Sequence, residues 1–152
     1  MAVKAIPDGY YSLTPYLVVK GAAEALEFYK KAFGATETLR MPGPGGRIMH
    51  AEIKIGDSVL MLSDENPERQ QLSPVTLGGS GSSVMLYTSD VDATINQAAA
   101  AGATVVMPPM DMFWGDRMGN LKDPFGHCWA IATHKEDVPP EEMGKRMASQ
   151  GA

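Results

Sequence analysis

Two ionisable residues, His50 and Glu52, stand two positions apart in the run RIMHAEIKIGDSVLML (residues 47–62). Residues 48–55 alternate between apolar and polar side chains, which predicts a β-strand whose side chains point to opposite faces. His50 and Glu52 then lie side by side on the polar face. Because a neighbouring carboxylate stabilises a protonated imidazole, this pair is the best candidate for acid–base catalysis. The alternative is a polar strand face in contact with solvent.

The other face of the same strand is apolar. It consists of Met49, Ala51, Ile53 and Ile55, and we expect it to pack beneath helices. The polar face then points away from the helices. In a single sheet that face meets solvent, whereas in two sheets that curl towards each other it lines a cleft.

An internal repeat indicates that there are two such sheets. Residues 14–35 and 82–103 each contain an apolar run, an amphipathic helix and a Gly-Ala pair. Residues 47–62 align with residues 117–132 at an offset of 70. This offset makes Asn120 and Lys122 the repeat partners of His50 and Glu52.

The repeated order is strand, helix and three strands. We therefore predict an α+β chain in which two tandem βαβββ modules form a curved mixed sheet with a cleft. A single domain spans residues 1–152, with modules at about 12–63 and 83–134, a connection at 64–82 and a tail at 135–152. The 19-residue connection exceeds ordinary loop lengths and is interpreted as a linker, a lid or a swap hinge.

Charge and composition exclude several classes of function. The formal net charge is −5, so neither nucleic acid nor an anionic membrane is expected as a partner. No apolar stretch approaches the roughly 20 residues of a membrane span. Cys128 is the single cysteine, which leaves no internal disulfide and indicates the cytoplasm.

Three motifs resemble those of the vicinal-oxygen-chelate (glyoxalase/bleomycin resistance/dioxygenase) superfamily. They are PYLVV-x₇-FYKKAFGA from Pro15, GDSVLMLSDE from Gly56 and DPFGH from Asp123. The run WGDRMGNLKDPFGHCWAIATHKEDV, from Trp114, is most similar to the PhnB-like, demethylubiquinone-methyltransferase-like branch. The resemblance implies a glyoxalase-like fold with a U-shaped cleft, within one chain or across a homodimer. We expect a homodimer.

Metal-dependent members of this superfamily carry four ligands, usually His and Glu, near the cleft floor. The corresponding positions here hold Thr14, Ser83, Met61 (or Leu60, if the register slips) and Ala130. None of these side chains replaces an imidazole or a carboxylate as a strong ligand. We therefore predict no metal and no other cofactor, which disfavours glyoxalase I and extradiol dioxygenase chemistry. A relocated metal site that includes His50 and Glu52 is the alternative.

The resemblance places further side chains in the cleft as a ligand-binding set. These are Thr14, Tyr16, Met61, Met85 and Tyr87. Trp114 and Arg117 are candidates for the cleft mouth, where an indole and a guanidinium grip a planar or anionic ligand. Alternatively, Arg117 pairs with Asp116 or Asp123, and Trp114 packs against other residues without contacting a ligand.

Three functional hypotheses remain. The first is a glyoxalase/bleomycin-resistance-like protein that binds a small molecule in the cleft without the four-ligand metal site, and whose catalysis, if any, is of lyase or isomerase type. The second is a drug-sequestering resistance protein. The third is a metal-dependent lyase or isomerase of glyoxalase type with relocated ligands. The sequence does not identify the ligand.

Overall fold

The computed structural model describes residues 2–150 and contains two four-stranded sheets. The first module comprises β1 (Tyr16–Val19), α1 (Ala22–Phe33), β2 (Thr36–Pro42), β3 (Ile48–Ile55) and β4 (Ser58–Asp64). A short helix, α2 (Pro74–Leu77), lies in the connection. The second module comprises β5 (Ser83–Tyr87), α3 (Val91–Ala101), β6 (Thr104–Asp111), β7 (Asp116–Lys122) and β8 (Cys128–His134). Helix α4 (Pro140–Ser149) follows in the tail. None of these helices is long and apolar enough to cross a membrane.

The strand order is the same in both sheets. It is β1-β4-β3-β2 in the first and β5-β8-β7-β6 in the second. In each sheet the first strand of the module runs parallel to the last, and the other pairs are antiparallel. The predicted α+β fold of two tandem βαβββ modules is confirmed.

The long helix of each module, α1 or α3, begins where the last strand of the same module supplies a hydrogen-bond acceptor to its first backbone N–H groups. In the first module, Asp64 Oδ1 accepts from the backbone N–H groups of Gly21 and Ala22 at 2.9 and 2.8 Å. In the second, Thr133 Oγ1 accepts from the N–H of Val91 at 2.9 Å. Asp64 and Thr133 thus satisfy backbone donors that a helix N-terminus leaves without intrahelical partners.

Strand β3 departs from strict alternation at its start. Ile48 is 3% exposed and joins the core, whereas Met49 is 41% exposed. The pairing with β2 shifts here, because Met41 faces His50 and Pro42 faces Ile48. This irregularity exchanges the faces of the first two residues. The prediction that Met49 packs beneath the helices is wrong, whereas Ala51, Ile53 and Ile55 are buried as predicted.

The repeat register also needs correction. Glu52 pairs with Met61 on β4, and Asn120 pairs with Ala130 on β8. Since Tyr16 and Met85 pair with Met61 and Ala130, Asn120 is the counterpart of Glu52 rather than of His50. The chain from Asn120 to Ala130 is one residue longer than the chain from Glu52 to Met61, so an alignment on the turn glycines displaces the strands.

The two modules share a buried polar contact. Tyr29 of α1 donates to Asp123 Oδ2 at 2.6 Å, and Trp129 Nε1 donates to the same oxygen at 2.9 Å. The other oxygen accepts from the backbone N–H groups of Phe125 and His127, both at 2.9 Å. Burial, and next the Asp123 charge, raise the pKa of Tyr29 well above 10. This carboxylate ties the first module's helix to the second module's β7–β8 turn.

The connection between the modules has defined local structure. Ser73 caps α2 by accepting from Thr76 N–H, and the Ser73 N–H in turn donates to Glu65 Oε1 at 2.7 Å. Bonds from Ser73 and Thr76 lower the pKa of Glu65 to about 2. Pro74 packs against the β7–β8 turn, since a Cβ at Gly126 would lie 2.9 Å from its ring. The connection therefore contacts both modules, through Glu65 next to β4 and through Gly126 in the β7–β8 turn.

Candidate functional site

A hydrogen-bonded row of four side chains lies on the face of the first sheet that points away from α1. Tyr16 Oη lies 2.9 Å from His50 Nδ1, and His50 Nε2 lies 3.2 Å from Glu52 Oε1. Tyr10 Oη donates to Glu52 Oε2 at 2.5 Å. We call Tyr10, Tyr16, His50 and Glu52 the acid–base array.

The strand register explains why these groups meet. Strand β4 lies between β1 and β3, and Met61 on β4 pairs with Tyr16 on one side and Glu52 on the other. His50 is two residues from Glu52 on the same face of β3. The structure therefore brings together Tyr16, His50, Glu52 and Met61 of the predicted site residues.

The chemistry of the carboxylate assigns the protons in the array. An ionised Glu52 only accepts hydrogen bonds, so His50 Nε2 carries the proton and Nδ1 accepts from the Tyr16 hydroxyl. Glu52 is 8% exposed, and its hydrogen bond raises the pKa of Tyr10. An imidazole whose Nδ1 is unprotonated, oriented by a buried carboxylate, is suited to accept a proton from Tyr16 or from a ligand group that takes the place of the Tyr16 hydroxyl.

Apolar side chains surround this polar row. On β2, Leu39 pairs with Glu52 and Met41 pairs with His50. Leu39 and Met41 are 40% and 51% exposed, and Tyr16 is 44% exposed. Apolar groups with a few convergent polar ones are the combination that lines small-molecule sites.

A cavity of about 390 Å³ adjoins the array. It lies where the segment before β1 and the β3–β4 turn meet the edge strand β5, and we call it the inter-module cavity. Thr14, Met85 and Tyr87 of the predicted ligand-binding set line it, together with Tyr10. Since Tyr10 also bonds Glu52, it links the cavity to the array.

Tyr10 is the residue of this site that the sequence did not indicate. It lies in an irregular segment before β1, outside both repeats, and no spacing pattern marks it. Its contact with Glu52 spans 42 residues of chain. Only the folded position of the N-terminal segment reveals it.

The four positions that the resemblance assigns to metal ligands carry neither an imidazole nor a carboxylate. Thr14, Ser83 and Ala130 offer hydroxyls and a methyl group, and Met61 offers a thioether. Met61 rather than Leu60 shares the Tyr16 face, since Leu60 is 4% exposed in the core. Within residues 2–150, no three His, Cys, Asp or Glu side chains are grouped closely enough to hold a metal.

Arg117 lies apart from these residues. Its guanidinium bonds both oxygens of Asp92 on α3, at 2.7 and 2.9 Å, and reaches Asp111 at 3.3 Å. Two residues further along β7, a Cβ at Gly119 would meet the α3 residue Ile95 at 2.4 Å, so this face of β7 packs against the helix. The expectation that Arg117 and Trp114 form one mouth is wrong, as is the alternative pairing of Arg117 with Asp116 or Asp123.

Trp114 lies on the opposite side of the second sheet. Its indole N–H donates to Asp116 Oδ2 at 3.1 Å, and the Tyr87 hydroxyl donates to the same oxygen at 3.0 Å. Because Asp116 and Arg117 are adjacent on a strand, they point to opposite faces.

Comparison with known proteins finds relatives of similar sequence and similar fold. An uncharacterized protein of Mycobacterium tuberculosis strain H37Rv is 43% identical over 143 residues, covering 92% of this chain and 84% of that protein. An Arabidopsis thaliana gene product has a similar structure, with a TM-score of 0.66, 28% identity and coverage of 81% and 98%. TioX from Micromonospora sp. ML1 gives a TM-score of 0.65, 28% identity and coverage of 82% and 98%.

More distant structures share the fold. The PhnB protein from Bacillus cereus gives a TM-score of 0.61 at 17% identity, covering 81% of this chain and 99% of that one. The model of the Glyoxalase/Bleomycin resistance protein/Dioxygenase superfamily matches residues 12–131, which include both modules. The chain belongs to the glyoxalase/bleomycin resistance protein/dioxygenase superfamily.

Proposed function

We propose that this protein binds a small organic molecule in the inter-module cavity and over the adjoining face of the first sheet, and exchanges a proton with it. The acid–base array carries the proposal, because a tyrosine, a histidine and a buried glutamate form one hydrogen-bonded chain among exposed apolar groups. A cavity of about 390 Å³ lies at the lower end of the usual size range of ligand sites.

The array supports general base catalysis. A proton that leaves the ligand, or leaves Tyr16 as the ligand binds, passes to His50 Nδ1, and Glu52 stabilises the imidazolium through Nε2. The Tyr10 hydroxyl supports the Glu52 carboxylate from its other oxygen. A carbon acid next to a carbonyl is a substrate that such a base can deprotonate, and the reaction class is then proton transfer of lyase or isomerase type.

The test for binding uses amide chemical shifts. A fragment set of ketones, phenols and aromatic carboxylic acids is titrated into ¹⁵N-labelled protein, and we expect binders to shift amides at Tyr16, His50 and Met85. Glu52→Gln should reduce the affinity of these binders, because it removes the charge that orients His50. Glu68→Gln, at an exposed position, should leave their affinity unchanged. Shifts confined to other surfaces, or no binder in the set, would contradict the proposal.

The test for proton transfer uses exchange with solvent deuterium. Ketones and β-dicarbonyl compounds are incubated in D₂O, and ¹H NMR follows the loss of α-protons. A positioned general base contributes about 10²–10⁴-fold, so His50→Gln should reduce the protein-catalysed rate by that factor. Binding without any exchange above buffer would refute catalysis and favour sequestration.

Three further assignments are part of the proposal. The PhnB-like branch is supported by the WGDRMGNLKDPFGHCWAIA run and by the fold of the Bacillus cereus PhnB protein. Homodimerisation is supported by the exposed apolar side chains of Leu39 and Met41 beside the array. A cytoplasmic location is supported by the single cysteine. Sedimentation that gives a monomer at micromolar concentration would contradict the dimer.

A further inference from the structure

A second cavity, of about 560 Å³, opens on the second sheet. We call it the aromatic pocket. It is lined by Tyr87, Phe113, Trp114, Asp116, His134 and Met143. Three of its six lining residues are aromatic, and one more is a methionine of α4. Neither His50 nor Glu52 belongs to it.

Two of the rings form a corner. The centroids of Phe113 and Trp114 are 4.9 Å apart, and their planes are perpendicular at 90°. Tyr87 contributes a third ring from β5. Aromatic rings carry negative charge on their faces, and several rings around one space attract a cation.

The charged groups at this pocket are mainly acidic. Asp116 is 4% exposed and accepts from Tyr87, from Trp114 and, at 2.7 Å, from His134 Nδ1. The other imidazole nitrogen, Nε2, lies 2.7 Å from Asp137, whose side chain is fully exposed. Two carboxylates thus flank one imidazole.

Both nearby arginines are paired with carboxylates outside the lining, although Arg146 also donates to the backbone oxygen of Phe113 at 3.4 Å. Arg146 of α4 pairs with Glu136 at 2.8 Å and Glu142 at 3.2 Å. Arg117 pairs with Asp92 on the helix-facing side of the sheet. Among the lining residues only His134 can carry a positive charge, and it does so between two acids.

We infer that the aromatic pocket binds an organic ammonium group. Its rings supply the cation–π faces, Met143 supplies apolar contact, and Asp116 and Asp137 supply the compensating negative charge. An anion would be repelled by Asp116 in the lining and by Asp137 beside His134, and the indole and phenol donors that could bind it already donate to Asp116. The site is independent of proton transfer at His50, because it shares only Tyr87 with the inter-module cavity.

The test compares a cation with its neutral analogue. Choline is titrated into ¹⁵N-labelled protein in parallel with 3,3-dimethylbutan-1-ol, which has the same shape and no charge. The two indole N–H resonances report on position, since Trp114 lines the pocket and Trp129 is buried and bonded to Asp123. We expect choline to shift the Trp114 resonance saturably at millimolar concentration and the alcohol to bind several-fold more weakly.

Two variants separate the rings from the charge. Trp114→Leu should weaken choline binding about 2- to 10-fold, which is the size of one cation–π contact. Because that change can disturb folding, Asp137→Asn is tested as well, at a fully exposed position. It should weaken choline binding and leave binding of the alcohol unchanged, whereas the control Glu68→Gln, at an exposed position in the connection between the modules, should alter neither.

Equal affinity for choline and the alcohol would overturn the inference, as would choline shifts at Trp129 rather than Trp114, or no response to choline at all. The inference would also be overturned if both variants, Asp137→Asn and Trp114→Leu, bound choline as tightly as the unmodified protein. The deuterium exchange assay reads His50 alone, so failure of either proposal is distinguishable from failure of the other.

Discussion

Replacing Asp123 by asparagine should destabilise the whole chain. The carboxylate is 4% exposed and accepts four hydrogen bonds, from the side chains of Tyr29 and Trp129 and from the N–H groups of Phe125 and His127. Asparagine has the same shape but offers one acceptor oxygen and one NH₂ group. Two of the four donors then lose their acceptor.

The least costly orientation directs the amide oxygen to the two backbone N–H groups. The Tyr29 hydroxyl can rotate and accept from the NH₂ group, but the Trp129 indole N–H has no acceptor. One buried unsatisfied donor costs about 1–3 kcal/mol, and the retained bonds weaken because they lose the ionic acceptor. Relief from burying a charge offsets part of this cost. We expect Asp123→Asn to lower the free energy of unfolding by about 2–4 kcal/mol.

Urea unfolding followed by far-UV circular dichroism measures this loss. The control is Asp57→Asn, at an exposed position in the β3–β4 turn, which should change the free energy by less than about 0.5 kcal/mol. A double-mutant cycle with Tyr29→Phe should be non-additive, since the two side chains are in contact. If the free energy of unfolding of Asp123→Asn differs from that of the unmodified chain by less than about 0.5 kcal/mol, the buried network does not contribute substantially to holding the modules together.

Two further predictions concern a helix cap and a histidine. Asp64→Ala should lower the free energy of unfolding by about 1–3 kcal/mol, because three backbone N–H donors, two at α1 and that of Ile48, lose their acceptor. The prediction would be contradicted if urea unfolding gave the same free energy for Asp64→Ala as for the control Asp57→Ala. The bonds to Asp137, and then to Asp116, should hold the pKa of His134 above 6.5, and Asp137→Asn should lower it. Proton binding at His134 therefore stabilises the fold fully below pH 6.5, and this contribution disappears as the pH rises through the folded-state pKa. An imidazole titration by NMR at or below 6.5 would contradict the prediction.

Local sequence pattern was sufficient to predict the fold and part of the array. Helical and strand periodicities depend on neighbouring residues, so the duplicated βαβββ order is visible without a structure. The i, i+2 spacing of His50 and Glu52 placed them on one strand face for the same reason. Alternation failed at Ile48 and Met49, because an irregularity with β2 is a property of the strand pair and not of either strand alone.

The amino-acid sequence by itself determined that the chain consists of two related modules and that His50 and Glu52 are neighbours. The prediction that Thr14, Met61, Ser83 and Ala130 stand at metal-ligand positions rests on the family resemblance and remains a prediction. Only the tertiary structure decided that Tyr10 reaches Glu52, that Arg117 faces α3, and that three rings gather around Asp116. These contacts join residues far apart in the chain, and their formation depends on strand register and on module packing, which no local pattern encodes.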